Sequence, residues 1–266
     1  MTLLRNTAQQ VIAIPPESFN HGLTRNVAIE HARGELIVLL VQDALPASRD
    51  WLARLIAPLQ ADHGVAGAFC RQLPRDDATV LARHYLEGWV AASLTPRTAG
   101  LTSPGELDRL EPNARLRLCA FDNVCSCIRK SVWQQIPFPD TTIAEDLEWA
   151  KSALLAGYRL QYVPEAVVLH SHNRSARYEF ARTYTLHARL LKLFGLRTIP
   201  TMSALARAIV STMRLHVECE RQAMREGSGR AGMRRALALA VAWPLGQYLG
   251  GLAAARGWKP IRFTNV

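Results

Sequence analysis

The chain has 266 residues, 49% hydrophobic and 20% charged, with 32 Lys+Arg against 22 Asp+Glu for a net charge of +10. Its length and apolar content suffice for a real core, in one large domain or one domain with an appendage, which excludes a disordered chain. Five cysteines, an odd number without framework spacing, exclude a small disulfide scaffold and read as reduced structural thiols.

Taken in order, Val11–Ile14 reads as a short strand. Phe19–Pro46 follows as a loop, a helix and a buried strand ending in an acid. Thr24 is the expected N-cap, Val27, Ile29 and Ala32 the apolar side, and Gly34 the left-handed end. The unbroken apolar run Leu36–Val41 predicts a parallel strand covered on both faces, with Asp43 just past its carboxyl end. Trp51–Gln60 is a predicted helix, Val65–Phe69 a strand and Asp76–Ala91 a helix. Thr95–Asn113, rich in Pro, Gly, Thr and charge, reads as a mobile loop. Leu118–Arg129 is a strand region in which Cys125 and Cys127 share a face. Lys130–Gln135 is a short helix, and Ile143–Ala156 a longer one closed by Gly157. Tyr158–Val163 and Ala166–His170 are strands, and Ser175–Phe194 is a long helix. Alternating strands and helices of this kind predict an α/β fold with a mostly parallel sheet over residues 1–195, followed by a basic helical extension over 196–266.

The charge is unevenly placed, since residues 174–266 hold 16 Lys+Arg against 4 Asp+Glu. A basic tail suits an anionic membrane surface or nucleic acid. Aromatic residues do not alternate with the basic ones and no nucleic-acid motif is present, which favours the membrane or a merely solvated helical surface. The uncharged run Ala236–Ala255 admits a bilayer span, an interfacial helix or ordinary packing. Pro244, Gln247, three glycines and many alanines weigh against the span. Met1–Gln10 lacks the apolar core of a secretion signal, which points to the cytoplasm.

Three polar clusters sit where strands or helices end: Gln42-Asp43, Glu145-Asp146 and His170-Ser171-His172-Asn173. An acid beyond a strand of an open α/β sheet suits a hard cation and, through it, a phosphate. Acids at a helix start are held ionised by its dipole, or simply start the helix well. Two histidines two apart beyond a strand offer one imidazole to a cation. A metal hydrolase using Asp43, His170 and His172 is a further possibility, without an evident water-activating base.

The segments FNHGLTRNVAIEHARGELIVLLVQDALP, CRQLP, FDNVCSCIRKSVWQQIPFPD and IAEDLEWAKSALLAGYRLQYVPEAVVLHSHN, taken together and in this order, resemble family 2 glycosyltransferases of the GT-A fold, in particular their rhamnosyltransferase-like branch. The resemblance implies an inverting transferase that moves one sugar, rhamnose on the resemblance to that branch alone, from a nucleotide-sugar donor to a glycan or lipid-linked acceptor at the inner face of the cell membrane. It makes Asp43 the second acid of an Asp-x-Asp motif that binds Mg²⁺ or Mn²⁺, with Val41 in place of the first acid. Asp146, beside Glu145, becomes the catalytic base, and His170 or His172 a histidine close to metal and diphosphate. Arg25 and Asn26 become residues on the nucleotide side, and Arg71 and Gln72 residues near the donor. The Gln-x-x-Arg-Trp motif of processive synthases is absent. In the family a strand–helix–strand with the nucleoside-binding acids precedes these segments, and nothing before Phe19 resembles it. The expectation is therefore an N-terminally truncated domain that binds donor poorly, and the alternative to an enzyme is a non-catalytic remnant acting as a membrane-associated partner.

Overall fold

The computed structural model describes residues 10–227 and 232–258. Val11–Ile14 is not a strand, and Val11 and Ile12 lie exposed. Helix α1 (His21–His31) starts four residues earlier than Thr24 would place it. Asn20 is the N-cap, its Oδ1 accepting from the backbone N–H of Gly22 and Leu23 at 3.0 Å each. Thr24 returns the contact by accepting from the Asn20 N–H at 3.3 Å, so two side chains share the capping that one was expected to do. The helix ends on Ala32 in extended conformation, and Gly34 is not left-handed.

The following elements are β1 (Leu36–Leu40), β2 (Leu45–Pro46), α2 (Trp51–Ala61), β3 (Val65–Leu73), α3 (Val80–Glu87), β4 (Arg97–Ala99), α4 (Pro104–Arg109), α5 (Pro112–Leu118), β5 (Cys125–Arg129) and α6 (Lys130–Gln135). They continue as α7 (Glu145–Leu155), β6 (Arg159–Leu169), α8 (Ala176–Phe194), α9 (Met202–Glu226) and α10 (Met233–Ala255). The predicted mobile loop is structured. Pro104 and Pro112 stand at the first turns of α4 and α5, where proline's missing N–H and fixed φ favour a helix start. The long helix expected over Asp76–Ala91 is confined to α3, capped by Thr79, with a separate 3₁₀ turn at Val90–Ala92.

The α/β class stands, but the sheet is mixed rather than mostly parallel. Its order is β1-β5-β3-β6-β2, with β4 also on β6, and β3–β6 is the parallel pair while β1–β5, β3–β5, β2–β6 and β4–β6 are antiparallel. Apolar runs report burial and carry no information on strand direction, which accounts for the difference. β1 also departs from the expected doubly covered strand: Ile37 is buried, whereas Leu40 is 43% exposed. β3 fits that description better. It lies between β5 and β6, and six consecutive residues from Val65 are buried.

Side chains from β3 and β5 alternate between two cores. On one face Phe69 and Ile128 pack with Phe121, Trp149 and Tyr162. On the other, Ala68, Cys70, Cys125 and Cys127 pack with Leu55 and Leu59 of α2. Cys125 and Cys127 thus share a face, as their spacing predicts, and all five cysteines are free. The two strands predicted over 158–170 are one element, β6. Its pairing with β3 skips from Cys70↔Val163 to Arg71↔Val167, so residues 164–166 bulge around Pro164.

The tail helices pack on this unit. α10 lies against α8 through two glycines one turn apart: a Cβ on Gly246 would sit 2.9 Å from the Phe180 carbonyl oxygen, and one on Gly250 2.2 Å from that of Tyr184. Trp243 donates to Glu179 at 3.0 Å. His216 of α9 hydrogen-bonds the Ala236 carbonyl at 2.8 Å and the Tyr85 hydroxyl of α3 at 2.9 Å. By length and composition α10 could cross a membrane, yet 44% of its most apolar window is buried within the protein. The observed packing accounts for its uncharged run.

Candidate functional site

The register of the sheet brings Asp43 to the histidines. Leu45 pairs antiparallel with Leu169, so the turn before Leu45 faces the residues after Leu169. Asp43 accordingly lies 3.6 Å from His170 Nε2 and 3.5 Å from His172 Nδ1, and the three donor atoms fall within 4.8 Å of one another. The turn that carries the histidines is tied down on its other side. Arg75 donates its backbone N–H to the Ser171 hydroxyl and a guanidinium N–H to the Asp43 carbonyl, each at 3.1 Å. Asn173 bridges the Thr79 N–H and the Asp77 carbonyl at 2.9 and 2.8 Å.

Behind the triad runs a chain of buried hydrogen bonds. Gln72 donates its amide to Asp122 at 2.7 Å, and Trp89 Nε1 donates to the same carboxylate oxygen at 3.3 Å. The Val124 N–H donates to the other oxygen at 3.0 Å. With its amide nitrogen committed, Gln72 presents Oε1 to His170 Nδ1 at 2.9 Å, so Nδ1 carries the proton and Nε2 turns its lone pair towards Asp43. Burial lowers the His170 pKa, with Asp43 and Asp122 opposing. Burial, then Arg174 and His170, pull His172 down to about 4. Both rings are neutral at pH 7, as metal ligands must be. The residues therefore fit a divalent cation, and the mixed oxygen and nitrogen set favours Mn²⁺ over Mg²⁺. Replacing Gln72 by Leu frees the His170 ring and leaves Asp122 with the Trp89 and Val124 donors alone. Mn²⁺ affinity, measured by titration calorimetry, is expected to fall 10- to 100-fold with the fold retained.

The second cluster begins at Ala144, whose φ of 59° is the one positive value at a non-glycine among the described residues. Such a conformation costs about 1–3 kcal/mol, and residues held in it cluster at functional turns. It swings Glu145 and Asp146 into the first turn of α7. Glu145 is buried and ion-paired with Arg25 of α1. Asp146 accepts from its neighbour's Leu147 N–H at 2.8 Å and from the Asn123 N–H at 3.5 Å. Burial first, then the charges of Glu145 and Asp122, raise the Asp146 pKa well above the usual carboxylate value. A carboxylate with raised proton affinity is a better base.

The structure thus groups Asp43, His170, His172 and Gln72, and places Glu145 with Asp146. Asp122 links the clusters, since it touches Gln72 and its neighbour Asn123 contacts Asp146. Arg25 faces Glu145. Asn26 spends its side chain on the fold, donating to the Phe138 carbonyl and accepting from the Phe138 N–H and Trp133 Nε1 at 2.8, 3.0 and 2.8 Å. Arg71, next to Gln72 on β3, points to the opposite face, and its buried Nε has no hydrogen-bond partner. Asp122, Asn123 and Trp89 have no role in the sequence-based expectation. The Asp-Asn pair directly before an apolar strand is the signal that could have found the first two. Asn123 is 2% exposed, yet its Nδ2 has no partner.

The sequence profile described as Glycosyltransferase like family 2 matches residues 6–191. It thereby takes in residues 6–18, which by inspection resembled nothing in the family. The O-antigen chain rhamnosyltransferase WbaN of Salmonella anatum is 35% identical over 178 residues, and RfbN of Salmonella typhimurium 33% over the same length. Each alignment covers 65% of this chain and 53% of the relative, so the chain spans about half the length of the curated relatives it matches. Among solved structures, a mannosyltransferase from Pyrobaculum calidifontis in complex with GDP-Man and Mn²⁺ is 20% identical, covering 90% of this chain and 55% of that one, with a TM-score of 0.38. Glucosyl-3-phosphoglycerate synthase from Mycobacterium tuberculosis is 17% identical, covering 70% and 57%, with a TM-score of 0.44.

Proposed function

The chain belongs to glycosyltransferase-like family 2, and from that premise we propose that it transfers a single sugar, with inversion, from a nucleotide-diphosphate donor to a hydroxyl of a glycan or lipid-linked acceptor. The observation that carries this reading is the convergence of the Asp43–His170–His172 donor set and the Asp146 carboxyl through Asp122 and Asn123. Rhamnose is the sugar we assign, from the names of the two curated relatives. On this reading residues 1–195 carry the chemistry, and the basic segment 196–266 holds the protein at an anionic membrane surface on the inner face of the cell membrane.

Asp43, His170 and His172 would hold Mg²⁺ or Mn²⁺, which supplies positive charge to the departing diphosphate. Asp146 takes the proton of the acceptor hydroxyl as that oxygen attacks the anomeric carbon. The bond to the diphosphate oxygen breaks on the opposite side, and its electron pair leaves with the nucleotide. Glu145, held in place by its ion pair with Arg25, sets a second carboxylate beside Asp146 and adds to its raised proton affinity, which Arg25 partly offsets. Asn123 Nδ2 is a buried donor without a protein partner, suited to a hydroxyl or phosphate oxygen of the substrates.

The test is Mn²⁺ binding followed by donor turnover. Wild type is expected to bind Mn²⁺ and, with the metal, to hydrolyse or transfer from a nucleotide-diphosphate rhamnose. Asp43→Ala should weaken Mn²⁺ binding at least 100-fold and abolish turnover. Undiminished turnover in Asp43→Ala, or in metal-stripped wild type, would refute the reading.

A further inference from the structure

Helix α9 carries its basic charge in rows. Arg207, Arg214 and Arg221 recur at every seventh position, and Arg225 lies one turn beyond Arg221, so the four share one face. All four are exposed, and none makes an ion pair or hydrogen bond with a described residue. The row from Arg207 to Arg225 is about 27 Å long at ~1.5 Å per residue. Beside it, three positions on, runs an apolar row at the same interval, Val210, Val217 and Met224, with Val210 48% and Met224 54% exposed. Glu218, between Arg214 and Arg221, is the acid on this face. The opposite face buries Leu205, His216, Glu220 and Ala223.

We infer that this outer face of α9 docks on anionic phospholipid headgroups. The arginines reach phosphates while their stems lie along the surface, and the Val210–Val217–Met224 row enters the boundary between headgroups and acyl chains. Charge complementarity selects the partner, for four guanidinium groups without ion pairs to described residues share this face with the single acid Glu218. The flanking apolar row selects a bilayer over nucleic acid, which would ask for stacking aromatics or a groove-entering motif. α10, the more apolar helix, is committed to α8 and cannot serve. The inference deepens the proposed function by locating the surface that would bring the site to a lipid-linked acceptor, and its evidence is independent of the chemistry.

Vesicle co-sedimentation of the full chain tests it, using phosphatidylcholine vesicles with and without 30% phosphatidylglycerol. The expected result is binding to the anionic vesicles, weakening from 0.1 to 0.5 M salt. Partitioning should fall on the order of a hundredfold in Arg207→Glu/Arg214→Glu/Arg221→Glu, at about fivefold per arginine. The milder Arg→Gln triple, whose fold is less at risk, should fall less but clearly. Val210→Asp/Met224→Asp should also bind more weakly. A control triple at exposed arginines elsewhere, Arg33→Glu/Arg49→Glu/Arg109→Glu, should change binding only a few-fold. Equal loss in the control triple, unchanged binding in both α9 triples, or tighter binding to duplex DNA or RNA than to anionic vesicles would overturn the inference. Mn²⁺ affinity and turnover on a soluble acceptor should be unaffected in the α9 variants, so failure here is distinguishable from failure of the proposed chemistry.

Discussion

Asp146→Asn is expected to lower sugar transfer by about 10³-fold, within the range for loss of a positioned base, while leaving donor and Mn²⁺ affinity near wild type. The same variant should melt at a higher temperature at neutral pH. The folded protein raises the Asp146 pKa above its unfolded value, so the ionised carboxylate opposes folding. Below the unfolded pKa both states are protonated and the penalty is absent. It grows as pH rises from there through the folded pKa and is complete above it. Asparagine has no charge to lose, so the melting curves of the two proteins should converge near pH 4 and separate towards pH 8, with the variant the more stable. On the proposed reading, base function and stability oppose each other at this residue, as is common where a site holds a charge its surroundings disfavour. Wild-type turnover in the variant would refute the role of Asp146 as base.

The largest stability effect is expected at the α8–α10 contact. Gly250→Ala places a methyl group 2.2 Å from the Tyr184 carbonyl oxygen, and backbone in the middle of a packed helix cannot retreat as a flexible side chain would. The clash should cost about 3 kcal/mol or more. Glycine to alanine inside a helix otherwise gains about 1 kcal/mol, so the two effects have opposite signs and the clash wins. The net cost of about 2 kcal/mol lowers the melting temperature by about 4–8 °C for a protein of this size. Gly251→Ala is the internal control. Its new Cβ would meet only the Arg197 Cγ, at 3.5 Å, so the propensity gain should survive and the protein should be unchanged or slightly more stable. Stabilisation by Gly250→Ala would show that α10 does not rest on α8 in solution.

Elements with local signatures were legible in the sequence. Ser175 caps α8 as its position before an apolar-periodic run suggests, Lys130–Gln135 is the helix predicted, and Gly157 is left-handed beyond α7. The three polar clusters were visible for the same reason, because acids and histidines at the ends of apolar runs stand out. What stayed hidden depends on contacts between distant residues. Asn20 caps α1 rather than Thr24: asparagine is the stronger cap, and Asn20 is also held by Asp140 at 2.8 Å across the fold. Strand direction is set by which partners meet. Pro104 and Pro112 looked like loop breakers because proline starts helices as readily as it ends them. Asp122 acquires a role only when β3 delivers Gln72 to it.

Among the described residues, no strand of the sheet pairs with the next strand along the chain. During synthesis, β1 and β3 emerge without a partner and must wait for β5, while β2 and β4 wait for β6. Gln72 and His170, which orient the donor set, are separated by 98 positions. Pairings this remote make folding slow and leave apolar strands open to association until most of the α/β unit has left the ribosome. The Asp43–His170–His172 set is consequently among the last features to close, so capture of Mn²⁺ during refolding would time completion of the sheet.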